Sequence, residues 1–455
     1  MKYVSTRGRA PVLEFGDVLL TGLAADGGLY VPESWPALPA DVLAAGRPYT
    51  AVAAEVLWPY VEGSLGRDEL DALVAEAYAT FDHPDVCPLD EVEPGTFVLE
   101  LFHGPTLAFK DVALQLVGRL FDRELARRGR RATIVVATSG DTGSAAIAAC
   151  VGRPTLDIVV LHPAGRVSDV QRRQMTTVDA PNVHNVAVEG TFDDCQDLLK
   201  RLFADVALRQ RVGLSAMNSI NWARVAAQVA YYATAAAAVG RCEVAVPTGN
   251  FGNVLAGWIA RRAGAPIEGL VVGSNRNDIL TRWVATGDLV SDDVVPTLSP
   301  SMDIQVSSNH ERLLFELLGR DGAATAELMT RFRSLGAAEG VPRDPVFSAA
   351  AVDDDETVAI IRDLHTRTGY VADPHTAVGL GAARRARRHP ELPLVCLATA
   401  HPAKFPDAVQ RATGERPALP ERAAGLLTRE ERYDVLPADL GAVAAYVESH
   451  VPPVG

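Results

Sequence analysis

From Thr96 onward, short apolar segments alternate with helical ones, and this alternation constrains the fold more than any other feature. Strands are predicted at residues 97–101, 133–137, 157–161, 182–188, 244–246, 270–272 and 392–398. Helices are predicted at 110–128, from 143 onward, at 193–208 and at 222–239. Short apolar strands separated by helices are typical of parallel sheets covered on both faces. The sequence therefore predicts an α/β fold, in which ligands bind at the carboxyl ends of strands.

Residues 1–95 form a separate predicted unit. Turn-forming residues in the stretch 26–39 lead into helical stretches around 51–58 and 68–78, and prolines punctuate a boundary over 84–94. A chain of 455 residues exceeds what one hydrophobic core usually serves. Two or three domains are therefore expected.

Composition excludes several classes of protein. The formal net charge of −14 argues against a general nucleic-acid surface, since phosphate contacts need clustered Lys and Arg. The one dense basic run, 384–388, is interpreted as a solvated helix end. Five cysteines lack CxxC spacing, so neither a disulfide framework nor a thiolate zinc site is expected. The N-terminus has no apolar signal region and 226–239 is too short to span a bilayer, so a soluble cytoplasmic protein is expected.

The segment 102–111, Phe-His-Gly-Pro-Thr-Leu-Ala-Phe-Lys-Asp, places Lys110 in an apolar setting where a loop gives way to a helix. Burying an unpaired ammonium is costly, and the usual relief is a lowered pKa that leaves a neutral amine. A neutral amine forms a Schiff base with a carbonyl cofactor. On this segment alone, a lysine that pairs with Asp111 or reaches water is an equally good interpretation.

Two glycine-rich loops each join a strand to a helix. Residues 137–145 read Ala-Thr-Ser-Gly-Asp-Thr-Gly-Ser-Ala, and residues 246–253 read Val-Pro-Thr-Gly-Asn-Phe-Gly-Asn. Glycines let the backbone approach a ligand, and free N–H groups at a helix N-terminus bind anions. A plain N-cap explains the first loop less well, because it holds more Gly, Ser and Thr than one cap needs. The second suits a phosphate but is no Walker A loop, since no Lys-Ser or Lys-Thr follows.

Two further stretches carry polar side chains at element ends. In 217–224, Asn218 and Asn221 are potential helix caps, and Arg224 would reach an anion near that helix start. In 397–405, Thr399 follows a strand, where a hydroxyl can bond a neutral ring nitrogen, whereas His401 alone is better interpreted as structural. There is no HExxH metal motif and no complete GxGxxG, which argues against a nicotinamide cofactor.

Taken together, these segments resemble the threonine synthase family, which belongs to the fold type II, tryptophan-synthase-β-like group of pyridoxal-phosphate enzymes. The resemblance covers nearly the whole chain. Besides the lysine segment and the Ser-Gly-Asp-Thr-Gly loop, it includes residues 21–32, 190–195, 273–278, 302–309, 373–377 and 399–405. The order and joint presence of these motifs are highly specific. The long N-terminal region is similar to that of the longer class of the family.

The resemblance implies a fold, a cofactor and roles for individual residues. The fold would have two parallel-sheet α/β subdomains and an additional N-terminal domain, with domains at 1–95, at 96–130 together with 240–455, and at 131–239. Lys110 would carry pyridoxal 5'-phosphate and later move protons. The other implied residues are Gly249, Asn250, Phe251, Gly252 and Asn253 at the cofactor phosphate, Thr399 at the pyridine nitrogen, Asp141 with Ser139 and Thr142 at the ring oxygen and the substrate, and Asn218 and Arg224 at the substrate phosphate. No metal is implied.

Two positions depart from the family pattern. Many fold type II relatives carry Asn where this chain has Asp141, and an Asp donates to the ring oxygen only when it is protonated. The longer threonine synthases often have Asp there. His310 stands where an aromatic residue such as Phe is expected, which either is neutral or alters a pocket wall.

The implied reaction converts O-phospho-L-homoserine and water to L-threonine and phosphate, the last step of threonine biosynthesis. Phosphate leaves Cγ and water adds at Cβ. The main alternative is a phospho-lyase that acts on O-phosphohomoserine or O-phosphothreonine and releases a 2-oxo acid and ammonia, or a specialised-metabolism paralogue. A non-catalytic binder would be expected to lose Lys110 or part of the substrate loops. A small phosphorylated amino acid is the expected partner of a monomer or homodimer, with no nucleic acid and no membrane.

Overall fold

The computed structural model describes residues 1–138 and 140–453. The strands are β1 (Lys2–Ser5), β2 (Leu13–Glu14), β3 (Tyr30–Pro32), β4 (Leu89–Glu93), β5 (Thr96–Glu100), β6 (Ala132–Ala137), β7 (Leu156–Pro163), β8 (Val183–Glu189), β9 (Leu214–Ser215), β10 (Cys242–Pro247), β11 (Ile267–Ser274), β12 (Leu289–Val290), β13 (Ala337–Ala338), β14 (Phe347–Ala351), β15 (Leu394–Ala398) and β16 (Asp434–Pro437).

The α-helices follow the same chain order. They are α1 (Phe15–Thr21), α2 (Tyr49–Val61), α3 (Arg67–Tyr78), α4 (Lys110–Arg127), α5 (Asp141–Cys150), α6 (Asp169–Thr176), α7 (Phe192–Ala204), α8 (Val206–Val212), α9 (Trp222–Val239), α10 (Gly252–Arg262), α11 (Ile279–Thr286), α12 (His310–Leu317), α13 (Gly322–Leu335), α14 (Asp354–Thr368), α15 (Pro374–Ala386), α16 (Pro406–Thr413) and α17 (Leu440–His450).

The chain forms two compact units. Unit 1 contains Met1–Glu76, His83–His103 and Ser219–Pro417, and unit 2 contains Ala77–Asp82, Gly104–Asn218 and the C-terminal residues from Ala418. This division places residues 104–130 in the same unit as 131–218. The three-domain boundaries implied by the family resemblance stay a prediction.

Unit 1 is organised around a six-stranded sheet in the order β14-β11-β10-β15-β5-β4. Adjacent strands in this sheet are parallel, except that the edge strand β4 is antiparallel to β5. Every residue of β10 and β15 is buried, as expected of central strands covered on both faces. Because β10, β15 and β5 run in the same direction, the loops that follow them all begin at the carboxyl ends of the strands, on the same side of the sheet.

Unit 1 also contains a small antiparallel sheet in the order β2-β1-β3. Helix α2 packs against α9 in the same unit, and Trp222 at the start of α9 meets the rings of Tyr3 and Tyr60. The residues predicted as a separate N-terminal unit thus share a hydrophobic core with α9.

Unit 2 is organised around a five-stranded parallel sheet in the order β16-β8-β7-β6-β9. All eight residues of β7 are buried. Strand β16 and helix α17 come from the C-terminal residues, and Val443 and Val447 of α17 join the core of this unit. Two parallel-stranded sheets confirm the predicted α/β class.

Three local predictions have clear outcomes. The helix expected over 193–208 is wrong, because Asp205 has extended backbone and caps α8 by accepting a hydrogen bond from the N–H of Leu208. All five cysteines lie in the described part of the chain, where they are buried and form no disulfide. No helix among the described residues is long and apolar enough to cross a membrane.

Candidate active site

Lys110 is the first residue of α4, and the side chain is almost completely buried. Its Nζ lies 3.4 Å from Oδ2 of Asp141, the first residue of α5. The two helices pack so closely that Gly118 of α4, against the carbonyl group of Ala149 in α5, has no room for a Cβ. This close packing brings the two N-terminal side chains together inside unit 2.

The turn before Lys110 is held by Asp111. Its carboxylate accepts hydrogen bonds from the backbone N–H and the hydroxyl of Thr106, both at 2.7 Å. Leu107, within this turn, has a φ of 63°, a left-handed conformation that costs a branched residue on the order of 1 kcal/mol. Tertiary contacts therefore impose the backbone path that leads into Lys110.

The loop between β6 and α5 is fixed by Thr138. Its Oγ1 accepts hydrogen bonds from the N–H groups of Gly140, at 2.9 Å, and Gly143, at 3.0 Å. Thr142 is half-buried in the first turn of α5. Ser139, a predicted substrate residue, lies outside the described residues. The structure thus places Asp141 in contact with Lys110.

In unit 1, the loop from β10 to α10 presents backbone N–H groups at a helix start. Two carbonyl groups of the loop accept hydrogen bonds. Ser307 Oγ donates to the Gly249 oxygen at 2.6 Å, and Asn309 donates to the Asn250 oxygen from both N and Nδ2. Within the part of the chain that the structure describes, no backbone N–H from Gly249 to Asn253 donates to another protein group. An anion is the natural acceptor for such N–H groups.

The shape of this loop depends on two residues. A Cβ on Gly249 would lie 2.6 Å from the carbonyl oxygen of Ser301, so only glycine fits there. Phe251 has a φ of 64°, which turns the chain into α10. The carboxyl group of Asp303 fixes the turn at 300–304 by accepting hydrogen bonds from Asn275 Nδ2 at 2.8 Å and Thr297 Oγ1 at 2.7 Å. Burial raises the pKa of Asp303.

Asn253 adds an oriented side-chain donor to the loop. Its Oδ1 accepts hydrogen bonds from the hydroxyl groups of Tyr231, at 2.5 Å, and Tyr232, at 2.9 Å. The Nδ2 of this buried residue has no hydrogen-bond partner among the described residues. A buried amide donor normally has a partner, so Asn253 fits a ligand with acceptor oxygens.

Thr399 lies beside this loop in unit 1. It directly follows β15, whose parallel neighbour β10 leads into the glycine loop. Thr399 is buried, and its hydroxyl makes no hydrogen bond to another described residue. The sheet therefore brings one hydroxyl and one loop with free N–H groups to the carboxyl ends of neighbouring strands.

The residues of the stretch predicted to bind the substrate phosphate differ in their surroundings and contacts. Asn221 caps α9, since its Oδ1 accepts from the N–H of Ala223 at 3.0 Å and its Nδ2 donates to the Leu19 oxygen at 2.8 Å. Arg224 is buried in the first turn of α9, where burial lowers its pKa to about 10, so it stays charged at neutral pH. Asn218 is exposed and belongs to unit 2, whereas Arg224 belongs to unit 1.

His310 fills an aromatic position in unit 1. Its ring centroid lies 4.2 Å from that of Trp283 and 4.9 Å from that of Phe251. Burial lowers the pKa of His310 to about 3, so the ring is neutral at ordinary pH. This histidine packs behind the glycine loop in the way an aromatic residue would.

Sequence reasoning missed two supporting residues. Gln171 contacts Asp141 in unit 2, and Asn309 holds the glycine loop in unit 1. Gln171 lies on a polar helix without a recognisable motif. Asn309 was visible only as part of a segment resembling the family.

These features fit pyridoxal phosphate. In unit 1, the donors of the β10–α10 loop and Asn253 suit a phosphate, and the Thr399 hydroxyl suits a neutral ring nitrogen. In unit 2, taken by itself, a buried lysine suits an aldehyde. The residue-by-residue assignments remain predictions.

Comparison with known proteins decides the family. One model, described as "Threonine synthase N terminus", matches residues 2–78, and one described as "Pyridoxal-phosphate dependent enzyme" matches residues 90–399. A third, "Threonine synthase, C-terminal", matches residues 376–447. The chain belongs to the threonine synthase family. The predicted resemblance, the fold type II architecture and the pyridoxal-phosphate dependence are thereby confirmed.

Individual relatives match over their whole length. The threonine synthase of Pseudomonas aeruginosa is 50% identical, and the alignment covers 99% of this chain and 98% of that protein. A crystal structure of pyridoxal-phosphate-bound threonine synthase from Brucella melitensis is 50% identical with a TM-score of 0.96 and 99% coverage of both chains. The yeast threonine synthase structure is 35% identical with a TM-score of 0.91, covering 99% of this chain and 98% of the yeast chain.

Proposed function

We propose that this enzyme, a pyridoxal-phosphate-dependent lyase, converts O-phospho-L-homoserine and water to L-threonine and phosphate. The observation that carries the proposal is the full-length similarity to threonine synthases in a chain that keeps a buried lysine 3.4 Å from a carboxylate. A protein that only bound the cofactor would have no need for such a lysine.

Lys110 is proposed as the base. Bound pyridoxal phosphate supplies an electron sink for a carbanion next to the substrate nitrogen. The Lys110 amine takes the α-proton of the substrate and returns a proton to that carbon at the end. Its burial disfavours the ammonium form by excluding water, and the Asp141 carboxylate 3.4 Å away favours that form, so the two effects together set how readily Lys110 takes and returns a proton.

Two phosphate-binding regions are proposed, because both cofactor and substrate carry a phosphate. The N–H groups of 249–253 and the Nδ2 of Asn253 hold the cofactor phosphate, and Thr399 faces its ring nitrogen. Arg224 and Asn218 are proposed to bind the substrate phosphate, and Ser139 and Thr142 are proposed as further substrate-binding residues. A buried, charged Arg224 gives a strong charge-assisted contact to an anion.

Product analysis tests the proposal. The cofactor-loaded enzyme is incubated with O-phospho-L-homoserine, and threonine, phosphate, 2-oxobutyrate and ammonia are measured. Equal amounts of threonine and phosphate are expected. Phosphate with 2-oxobutyrate and ammonia would instead establish the phospho-lyase, and no phosphate from a yellow protein would exclude this substrate.

The setting of the reaction is also proposed. A phosphorylated amino acid is the small-molecule partner, and the enzyme works in the cytoplasm as a monomer or homodimer. Size-exclusion chromatography with light scattering tests the oligomeric part of this proposal.

A further inference from the structure

Gln171 makes a hydrogen bond to the carboxylate beside Lys110. It lies on α6 with 6% of its surface exposed. Its Nε2 donates to Asp141 Oδ1 at 2.9 Å. Gly140 has a φ of 145°, and a Cβ there would lie 2.6 Å from the Gln171 amide carbon. The loop before α5 thus packs closely against this amide.

Ser168 contacts the other end of the Gln171 amide. The Ser168 hydroxyl donates to Gln171 Oε1 at 2.9 Å and also accepts from the Gln171 N–H as the cap of α6. An ionised carboxylate only accepts hydrogen bonds, so the NH₂ group of Gln171 faces Asp141, and Oε1 then accepts from the Ser168 hydroxyl. The hydroxyl of the N-cap residue and the glutamine amide thus form one chain of hydrogen bonds that leads to the carboxylate.

Asp141 receives donors on both oxygens. Gln171 donates to Oδ1 at 2.9 Å, and the Lys110 nitrogen lies 3.4 Å from Oδ2. Hydrogen bonds from donors and a nearby cation both stabilise the ionised form of a carboxyl group. An ionised Asp141 in turn stabilises a proton on the Lys110 nitrogen.

We propose that Gln171 is a positioning residue that keeps Asp141 ionised and aligned with Lys110, and thereby sets the pKa of the Lys110 nitrogen. Asp141 then serves as the ionic partner of the lysine rather than as a proton donor to the cofactor ring oxygen. The inference rests on the proposed function and deepens it, because the pKa of the Lys110 nitrogen governs both the uptake and the return of the proton stated there.

Gln171→Met tests this arrangement, since methionine keeps the length of glutamine but donates no hydrogen bond. In the apoprotein, acylation of Lys110 is followed by mass spectrometry across pH, which reports the pKa of its amine without turnover. We expect this pKa to fall by on the order of one unit. The pH titration of the visible absorption of the cofactor-loaded protein should shift in the same direction.

Gln174→Met is the matched control on the same helix. Gln174 donates to the Thr106 carbonyl at 2.9 Å and makes no contact with Asp141. Gln171→Met loses the side-chain hydrogen bonds to Asp141 and Ser168, and Gln174→Met loses the one to Thr106, so both should lower the melting temperature, but only Gln171→Met should move the Lys110 pKa. Equal shifts in the two variants, or no shift in Gln171→Met, would overturn the inference.

A double-mutant cycle covers the case in which Gln171→Met folds poorly. Asp141→Asn removes the charge through which Gln171 is inferred to act. In that background, Gln171→Met should produce no further shift of the Lys110 pKa. An additional shift of the full size would show that Gln171 acts by another route. Because the labelling needs no substrate, failure of the product analysis would leave this result interpretable.

Discussion

The lysine region of unit 2 and the glycine loop of unit 1 consist of different chemical groups. Around Lys110 the structure places ionisable and oriented side chains, namely Asp141, Gln171 and Ser168. Around the glycine loop it places backbone N–H groups, neutral amides and hydroxyls. A region that moves protons needs groups whose charge changes, whereas a region that holds a phosphate needs a fixed set of donors.

The two regions should therefore respond differently to mutation. Changes around Lys110 should alter rate and pH dependence while binding of the substrate is largely kept. Changes in the glycine loop should weaken binding of the cofactor and leave the chemistry of the residual complex intact. The predictions below test this contrast.

The largest effect is expected for Lys110→Ala. Turnover should fall by at least about 10³-fold, because the general base is removed, while the far-UV circular dichroism stays native. Steady-state kinetics and the visible absorption of the loaded protein measure the loss. Lys200→Ala, at an exposed lysine of α7, is the control and should behave as wild type. Substantial activity in Lys110→Ala would remove the proposed mechanism.

Arg224→Ala should act on substrate binding. Loss of a charge-assisted contact should raise the KM for the phosphorylated substrate by about 10–100-fold, with a smaller change in kcat. Arg384→Ala removes a half-exposed arginine elsewhere in unit 1 and controls for net charge. If KM is unchanged in Arg224→Ala, the assignment of this residue to the substrate phosphate is wrong.

Gly249→Ala should weaken cofactor binding by about 10-fold, because the new Cβ meets the Ser301 carbonyl oxygen and the loop must shift at a cost of about 1–3 kcal/mol. Titration of the apoprotein with pyridoxal phosphate gives the dissociation constant. Gly66→Ala is the matched control, since nothing lies within 4 Å of a Cβ there. Equal affinities in the two variants would contradict a tightly specified loop.

His310→Phe should have the smallest effect at pH 7 and a pH-dependent one below it. The folded-state pKa of His310 is about 3, well below its ordinary value, so the unfolded state binds a proton first as pH falls. The wild type should therefore lose about 2 kcal/mol of stability from this group between pH 7 and pH 5.

Urea unfolding of both proteins at the two pH values measures this difference. The phenylalanine variant should lack the part of the acid destabilisation that His310 causes. Identical pH dependence of the two proteins would show that His310 is accessible to protons in the folded state.

Local signals explain what the sequence predicts well. Helix α9 begins and ends at the predicted residues, because Asn221 caps its start and Gly240 follows its end. The loop after β10 is recognisable because glycine, threonine and asparagine at a strand end serve few purposes other than binding an anion.

Long-range pairing explains what the sequence leaves open. Strand β16 has exposed residues and no apolar run, so only its pairing with β8 reveals it. Helix α2 continues through Pro59, a residue that usually ends a helix. Gln171 is a polar residue on a polar helix, and its importance depends on contact with Asp141, thirty positions away in the chain.

The most direct test of the proposed reaction is to run it in ¹⁸O-labelled water with O-phospho-L-homoserine. Elimination of phosphate from Cγ followed by addition of water at Cβ predicts one ¹⁸O in the threonine hydroxyl group and none in the released phosphate. Labelled phosphate together with homoserine would show hydrolysis at phosphorus, and would contradict the account in which Lys110 and its carboxylate move protons on carbon.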